Sequence, residues 1–428
     1  MPKKRATVTI FLLNYALMTL GFGLWQAIFN NFAVEELGVR ADQIGLIQSI
    51  REVPGLLGFL MGFLALILVE SRIAGLSAIV MGLGIALTAV SRTPPTLIAT
   101  TLLMSIGFHF FYSSNSAALL LTAGPEKGPQ TLGRMNSLGA LATVVSTAFI
   151  FATLDALGYR TLFVVAGGLV IIGNLIIWPF AGHAGRGGGE KQRTRIRREY
   201  WLYYALQFLN GSRRHIVTTF AVFLLVREYN VIAQVITLLF LLNSLVGTYL
   251  NHAFGAIVAR YGEKRVLAVN YAVLTVIFAA YAFVPQIQAL NVTTFAVPSL
   301  HIGQWVLLPT FEATIGLIIL LCIFIVDRAM MGFSIAVESY MQKIALSPQD
   351  ITGNIALGQT INHIAAVVIP VTGGIMWETI GARYTFLVGM GIVLTALALT
   401  TRLNTGKEGA AISASLAACD AVADSEVL

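Results

Sequence analysis

Charge is the scarcest feature of this 428-residue chain: Asp, Glu, Lys and Arg together make up 11% of it. A soluble protein carries about twice that fraction, so most water-soluble enzymes are excluded at once. There are two cysteines, Cys322 in an apolar run and Cys419 in a polar tail. No disulfide framework or cysteine-based metal site can be built from such a pair. No GxxxxGK[ST] loop is present to cradle ATP phosphates, and no HExxH or GxSxG points to hydrolysis within a membrane. The chain is therefore expected to be neither ATP-driven nor an enzyme, and no cofactor is expected. What remains is abundant apolar sequence, 57% hydrophobic with a mean hydropathy of +0.81. It falls into runs of about 20 residues, long enough to cross a bilayer as helices. The 40 glycines and 12 prolines fit, because membrane helices tolerate both better than soluble ones do. The composition is that of an all-α polytopic membrane protein, with the lipid bilayer as its first partner.

The basic start, Met1-Pro2-Lys3-Lys4-Arg5, precedes an apolar stretch too long for a signal-peptide core and without a small-residue cleavage pattern. It is expected to be a retained first helix. Twelve spans are predicted, near 9–31, 44–68, 73–91, 96–121, 137–155, 161–181, 201–226, 232–256, 266–284, 314–341, 354–376 and 384–402. Of the 27 Lys and Arg, 18 fall on the side carrying the termini and the loops after even spans. Five fall on the other side (Arg40, Arg92, Arg160, Arg227, Arg383) and four lie inside spans. The positive-inside rule then makes both termini cytoplasmic, and a bacterial cytoplasmic membrane, or an internal membrane derived from it, is the expected location. The basic segment from Lys191 to Arg198 is better read as a topology anchor than as a nucleic-acid or lipid site. The expected organisation is a six-helix bundle over 1–181, a basic cytoplasmic linker over 182–200, a second bundle over 201–403 and a small, polar tail over 404–428.

An internal repeat supports two halves. Asp155, Gly158, Arg160 and Phe163 stand between spans 5 and 6; Glu378, Gly381, Arg383 and Phe386 stand between spans 11 and 12 at the same spacing. A second motif joins spans 8 and 9: Gly255, Ala259, Arg260, Gly262, Glu263, Lys264 and Arg265. Gly255 permits close helix approach, Gly262 permits a tight turn, and the basic cluster suits acidic groups or helix C-termini. Here the sequence resembles the major facilitator superfamily, whose hairpin motif reads Gly-x-x-x-Asp-Arg-x-Gly-Arg-Arg; Ala259 replaces the acid, and the first-half counterpart, Val69 to Gly75, is degenerate. The resemblance implies twelve transmembrane helices in two six-helix bundles related by a pseudo-two-fold repeat, and secondary transport by alternating access. In length and layout the chain is also similar to carriers of this superfamily in bacterial magnetosome membranes. Span 5 lacks the Gly-Pro-rich signature of the superfamily's drug antiporters.

A charge at the bilayer centre costs at least about 2.5–3.5 kcal/mol, so each needs a partner or a wet cavity. Polar stripes occur on span 1 (Tyr15, Thr19, Gln26, Asn30), span 4 (His109, Tyr112, Ser113, Ser116, with Asn115 beside them), span 7 (Gln207, Asn210, Gly211, Arg214, Thr218, flanked by Arg213 and His215) and span 10 (Asp327, Ser334, Glu338, with Arg328 one step round). In the resembled family these four helices line the central cavity. Tyr15, Gln26, Asn30, His109, Tyr112, Asn115, Asn210, Arg213, Arg214 and His215 are thus expected to face the solute. Arg213 and Arg214 can present forked donors to an anion, or pair with Asp327 or Glu52. Arg51, Glu52, Asp327, Arg328 and Glu338 are candidates for gating or proton coupling, and His109 has the chemistry to titrate near neutrality. His363 and His252 read as structural. The apolar connection 285–313 is expected to lie along the interface or cap the cavity mouth.

The leading expectation is a monomeric secondary transporter of a small polar or anionic solute, coupled to protons. An iron or divalent-metal carrier of the same fold is a second reading, since His109, His215, Asp327 and Glu338 offer ligands, although no tight ligand spacing occurs. A non-transporting membrane sensor or scaffold is a third.

Overall fold

The computed structural model describes residues 2–57, 64, 67–123, 128–181, 196–302, 305–346 and 348–403. Most of the expected basic linker and the whole tail from 404 lie outside these residues. Within them the chain traces twelve helical spans, because a backbone inside a bilayer must satisfy its own hydrogen bonds.

Span 1 is Pro2–Asn31, prolonged by a π turn over Phe32–Glu36; span 2 begins at Ala41–Leu56; span 3 is Glu70–Thr88 and span 4 Pro94–Ala123. Spans 5 and 6 form one 50-residue run, Gly128–Ile177, broken at Gly158. Span 7 comprises Trp201–Ile216, a π turn over Val217–Ala221 and Val222–Tyr229. Asn230, left-handed at φ 51, ends it and turns the chain into span 8, Ala233–Tyr261. Span 9 is Glu263–Phe283. Span 10 is Ile315–Met330 and Ile335–Ile344 joined by a 3-10 turn, span 11 is Pro348–Ile380 and span 12 is Ala382–Thr400. Eight helices among the described residues are long and apolar enough to cross a membrane, and one of these holds both spans 5 and 6.

The repeat seen in sequence is a repeat in structure. Gly158 (φ 69, ψ 169) and Gly381 (φ 105, ψ 157) adopt the same glycine-only backbone and turn one helix into the next. The arginine two residues later lies over a ring in each half, Arg160 over Phe32 at 5.2 Å and Arg383 over Phe283 at 4.7 Å. Phe163 and Phe386 are fully buried beyond them. Gly262 (φ 79, ψ 155) makes a similar turn between spans 8 and 9. No atom stands within 4 Å of where a Cβ would fall at Gly158. Gly158→Ala is therefore expected to destabilise through backbone strain alone, by about 1–3 kcal/mol, which a lowered midpoint of thermal unfolding in detergent would register.

The connection after span 9 has a strand architecture of its own. Strands β1 (Thr294–Val297) and β4 (Phe311–Thr314) pair antiparallel, and β2 (Leu300–Ile302) and β3 (Trp305–Leu308) pair beyond them. Its β-branched and aromatic residues, among them Thr294, Phe295, Val297 and Val306, suit paired strands. β3 packs on the helix Gly128–Ile177 of the first half and on span 8 of the second.

Candidate functional site

Two faces are distinguished here by connectivity: the terminal face, where spans 1 and 12 begin and end the chain, and the distal face, which carries the turns after odd spans. At the distal face the halves are locked together. The backbone N–H of Ala41, at the start of span 2, donates to Glu378 Oε1 of span 11 at 2.8 Å. Gln234 Nε2, at the start of span 8, donates to Asp155 Oδ1 of span 5 at 2.6 Å. Glu378 and Asp155 are the same position of the duplicated motif, so each half uses its repeat acid to hold the first turn of a helix from the other. Asn31 Nδ2 adds a bond to Val231 O at 3.0 Å, and Val371 N–H one to Ser49 Oγ at 3.0 Å. Backbones touch beneath these bonds: a Cβ at Gly45 would lie 2.1 Å from Pro370 O, and one at Gly374 2.4 Å from Ala41 O.

Below this closure, spans 2, 4, 7 and 11 bring a polar cluster together. Arg51 Nη2 meets Glu52 Oε1 at 2.9 Å, and Ser105 Oγ donates to the Arg51 carbonyl. His363 Nδ1 lies 3.3 Å from Glu52 Oε2, within ion-pair reach but outside hydrogen-bond alignment. His109 faces His363 edge-on with ring centroids 5.3 Å apart. Gly55 gives both imidazoles room, for a Cβ there would fall 2.6 Å from His363 and 2.8 Å from His109. Arg214 Nη2 donates to Asn362 Oδ1 at 2.6 Å and sits 3.4 Å from His215 Nε2. His363 and Asn362, on span 11, escaped the sequence reading, which treated that histidine as structural.

The adjacent arginine goes elsewhere. Arg213, one step of about 100° further round the helix, is 1% exposed and turns into the second bundle. There Nη1 lies 3.5 Å from Asp327 Oδ1 and Nε donates to Asn210 Oδ1 at 3.2 Å. Asp327 is wholly buried and its second oxygen has no partner among the described residues. Span 10 divides in the same way, because Arg328 leaves Asp327 behind and faces a chamber of about 460 Å³ between the halves. Gln26 and Thr19 of span 1, Thr143 and Thr147 of span 5, and Asn243 of span 8 are among its walls. A larger recess of about 1020 Å³ opens at the distal face between the hairpin, the end of span 7 and the start of span 12.

Other candidate residues divide similarly. Tyr15 packs against Tyr112 with centroids 6.2 Å apart, and Tyr112 is half exposed. Asn115 is committed to the N-terminal bundle, where its amide reaches Phe11 O at 3.3 Å. Asn30 is buried, and Glu338 makes no ion pair among the described residues. At the terminal face Lys264 Nζ donates to Thr401 O at 2.8 Å, the expected contact with a helix C-terminus. Arg260 lies over Tyr261, and no such ring or carboxylate contact is found for Arg265 among the described residues. The acid missing at 259 has a neighbour in Glu263, which accepts from Ser339 Oγ and Lys343 Nζ, each at 2.7 Å. The packing around Gly255 lies outside the described residues.

The family model of the Major Facilitator Superfamily matches residues 11–319. The chain belongs to this superfamily. No curated protein matches the sequence. Solved structures similar to this MFS protein include the nucleoside transporter NupG (TM-score 0.68, 14% identity, covering 94% of this chain and 99% of that one). A bacterial homologue of the human lysosomal transporter Spinster, inward-facing and unoccupied, aligns with TM-score 0.67 and 12% identity over 96% and 98%. A bacterial homologue of the iron transporter ferroportin, inward-facing, aligns with 0.68 and 14% over 94% and 98%. At these identities the likeness is one of fold. It establishes the all-α polytopic MFS fold for this chain and leaves its substrate to the site itself.

Proposed function

We propose that this MFS protein is a secondary transporter that moves a small polar or anionic solute by alternating access. The bundles over 1–181 and 201–403 would rock about the space between them, joined by the linker over 182–200 and followed by the tail over 404–428. The observation that carries this reading is the matched pair of distal contacts, Asp155–Gln234 and Glu378–Ala41. Hydrogen bonds to charged acceptors contribute about 1.5–3 kcal/mol each, enough to hold one state and weak enough to release it. Equivalent contacts from equivalent acids let both interfaces open together, as a rocking motion requires. The distribution of Lys and Arg supports a cytoplasmic terminal face, which makes the closed distal face the outer one. Arg213 and Asp327 hold the second bundle together, while Arg214 and Asn362 face the other half across the polar cluster.

Proton coupling is assigned to Glu52 and His363, with His109 beside them. The charged and titratable groups packed around the pair are Arg51 from span 2, His109 from span 4, and Arg214 and His215 from span 7. Protonating either member of a carboxylate–imidazole pair changes the charge that these arginines and histidines meet across the halves. Among the described residues no three His, Cys, Asp or Glu side chains are grouped to hold a metal ion, and Arg51 and Arg214 raise the cost of a cation in this cluster.

Cysteines replacing Asp155 and Gln234, in a background lacking Cys322 and Cys419, report distal closure by cross-linking. The cross-linked fraction is expected to change with pH, and that dependence is expected to flatten in Glu52→Gln and His363→Gln. A pH response unchanged by both substitutions would remove the coupling assignment. A fully cross-linked population under every condition would favour a static scaffold.

A further inference from the structure

The chamber holding Arg328 has a chemistry distinct from that of the Glu52–His363 cluster. Its walls come from both halves: spans 1 and 5 on one side, spans 8 and 10 on the other. At about 460 Å³ it is at the small end of ligand pockets, which run from about 300 to 1,000 Å³. Arg328 brings five N–H donors at membrane depth, yet its contacts are weak. Nη1 reaches Met331 Sδ at 3.6 Å, and the guanidinium lies 5.9 Å from the ring centres of Phe240 and Phe324. No carboxylate lines the chamber among the described residues, and the adjacent Asp327 is committed to Arg213 inside the bundle. A second observation is independent of the arginine: both amide atoms of Asn243, on the opposite wall, are shielded from solvent and have no partner among the described residues. A buried amide left unsatisfied costs about 1–3 kcal/mol, and an unpaired cation in the membrane costs more. Both costs fall when a solute supplies the missing acceptors.

We propose that this chamber binds an organic monoanion, a carboxylate on a small apolar body, with Arg328 as its counter-charge and Asn243 completing its polar contacts. One cationic group and no acidic one set the charge of the solute at minus one. Phe22 and Phe240 in the lining set the character of its body, and Gln26 and Thr19 offer partners for a polar substituent. This deepens the transport reading and rests on it, since a site shared by both halves is closed or opened by their rocking.

The test uses the purified full-length protein in detergent and four probes of one shape: benzoate, benzamide, benzylamine and phthalate. Benzoate is expected to raise the unfolding midpoint by binding the folded state. Neutral benzamide and cationic benzylamine are expected to leave the midpoint unchanged at the same concentration. Phthalate, whose second carboxylate has no counter-charge, should shift it less than benzoate does. Arg328→Gln should weaken benzoate by about tenfold or more, the range for losing a charged hydrogen-bonding partner. Arg328→Lys should keep the preference for benzoate over benzamide at reduced affinity. Equal shifts from benzoate and benzamide in the unaltered protein would overturn the proposal without recourse to any variant. So would an undiminished benzoate shift in a folded Arg328→Gln protein. The Asp155/Gln234 cysteine pair separates this failure from that of the transport reading. Distal closure that responds to pH with no benzoate selectivity sinks the monoanion site alone; benzoate selectivity with an immovable distal face upholds the site and sinks the transport cycle.

Discussion

Replacing Gly374 with leucine will hold the distal end open and abolish transport. The Cβ of any side chain at Gly374 falls 2.4 Å from the Ala41 carbonyl oxygen and 3.0 Å from Asp42 Cα. Both obstacles are backbone, so no rotamer change relieves them. Forcing extra carbons into such a contact costs about 1–3 kcal/mol, and here the strain is released by separating spans 2 and 11 instead of by unfolding. Each 1.4 kcal/mol is a factor of about ten in population, so the closed state is expected to fall by about tenfold to a hundredfold. The Ala41–Glu378 bond crosses the same contact and should be lost with it. Gly45→Leu, whose Cβ meets the Pro370 carbonyl from the opposite side, should give the same phenotype. Cross-linking of the Asp155/Gln234 cysteine pair will fall in both variants, with the folded yield retained. Full cross-linking in either would show that the distal interface adjusts locally and is not a gate.

The second large effect is on stability. Arg213→Leu leaves Asp327 wholly buried beside an apolar side chain, with one of its oxygens already unpartnered. Breaking a buried pair by removing one partner costs about 3–5 kcal/mol, whereas replacing both partners by apolar groups is often neutral. Arg213→Leu is therefore expected to lose most of its folded yield and to lower the unfolding midpoint sharply. The double variant Arg213→Leu/Asp327→Leu should recover much of both. Equal losses in the single and double variants would instead point to a role for these charges beyond holding spans 7 and 10 together.

Much of this molecule is legible in its sequence because a bilayer leaves few choices. Apolar runs of fixed length give the spans, and the four-residue repeat at Asp155 and Glu378 gives the two halves. Reading the repeat as a pair of latches required the structure, since the partner of each acid is the first turn of a helix from the opposite half. The site was legible at the level of helices and less so at the level of side chains. Spacing along span 7 placed Arg213 and Arg214 close together, yet the 100° between neighbours sends one into the bundle and the other towards Asn362. Asp327 and Arg328 part in the same way. His363 is one polar residue in an apolar helix, and its meaning lies in the register of span 11 against span 2, which one sequence does not carry. The hairpin over 294–314 was hidden because its composition resembles that of an interfacial loop. Its signals were the Thr-Phe-Ala-Val run at 294–297 and the Pro298-Ser299 corner.

Alternating access requires reciprocal motion of the two ends, and spin labels measure that directly. Val90 and Val292 are exposed near the distal face, one in each half; Ile67 and Tyr261 are exposed near the terminal face, again one in each half. Distances from the Val90/Val292 pair and from the Ile67/Tyr261 pair would be recorded across pH 5 to 8 and with benzoate. Alternating access predicts two populations at each end, with the distal distance lengthening as the terminal distance shortens. Single, unchanging distances at both ends under all these conditions would contradict it and leave a rigid membrane scaffold.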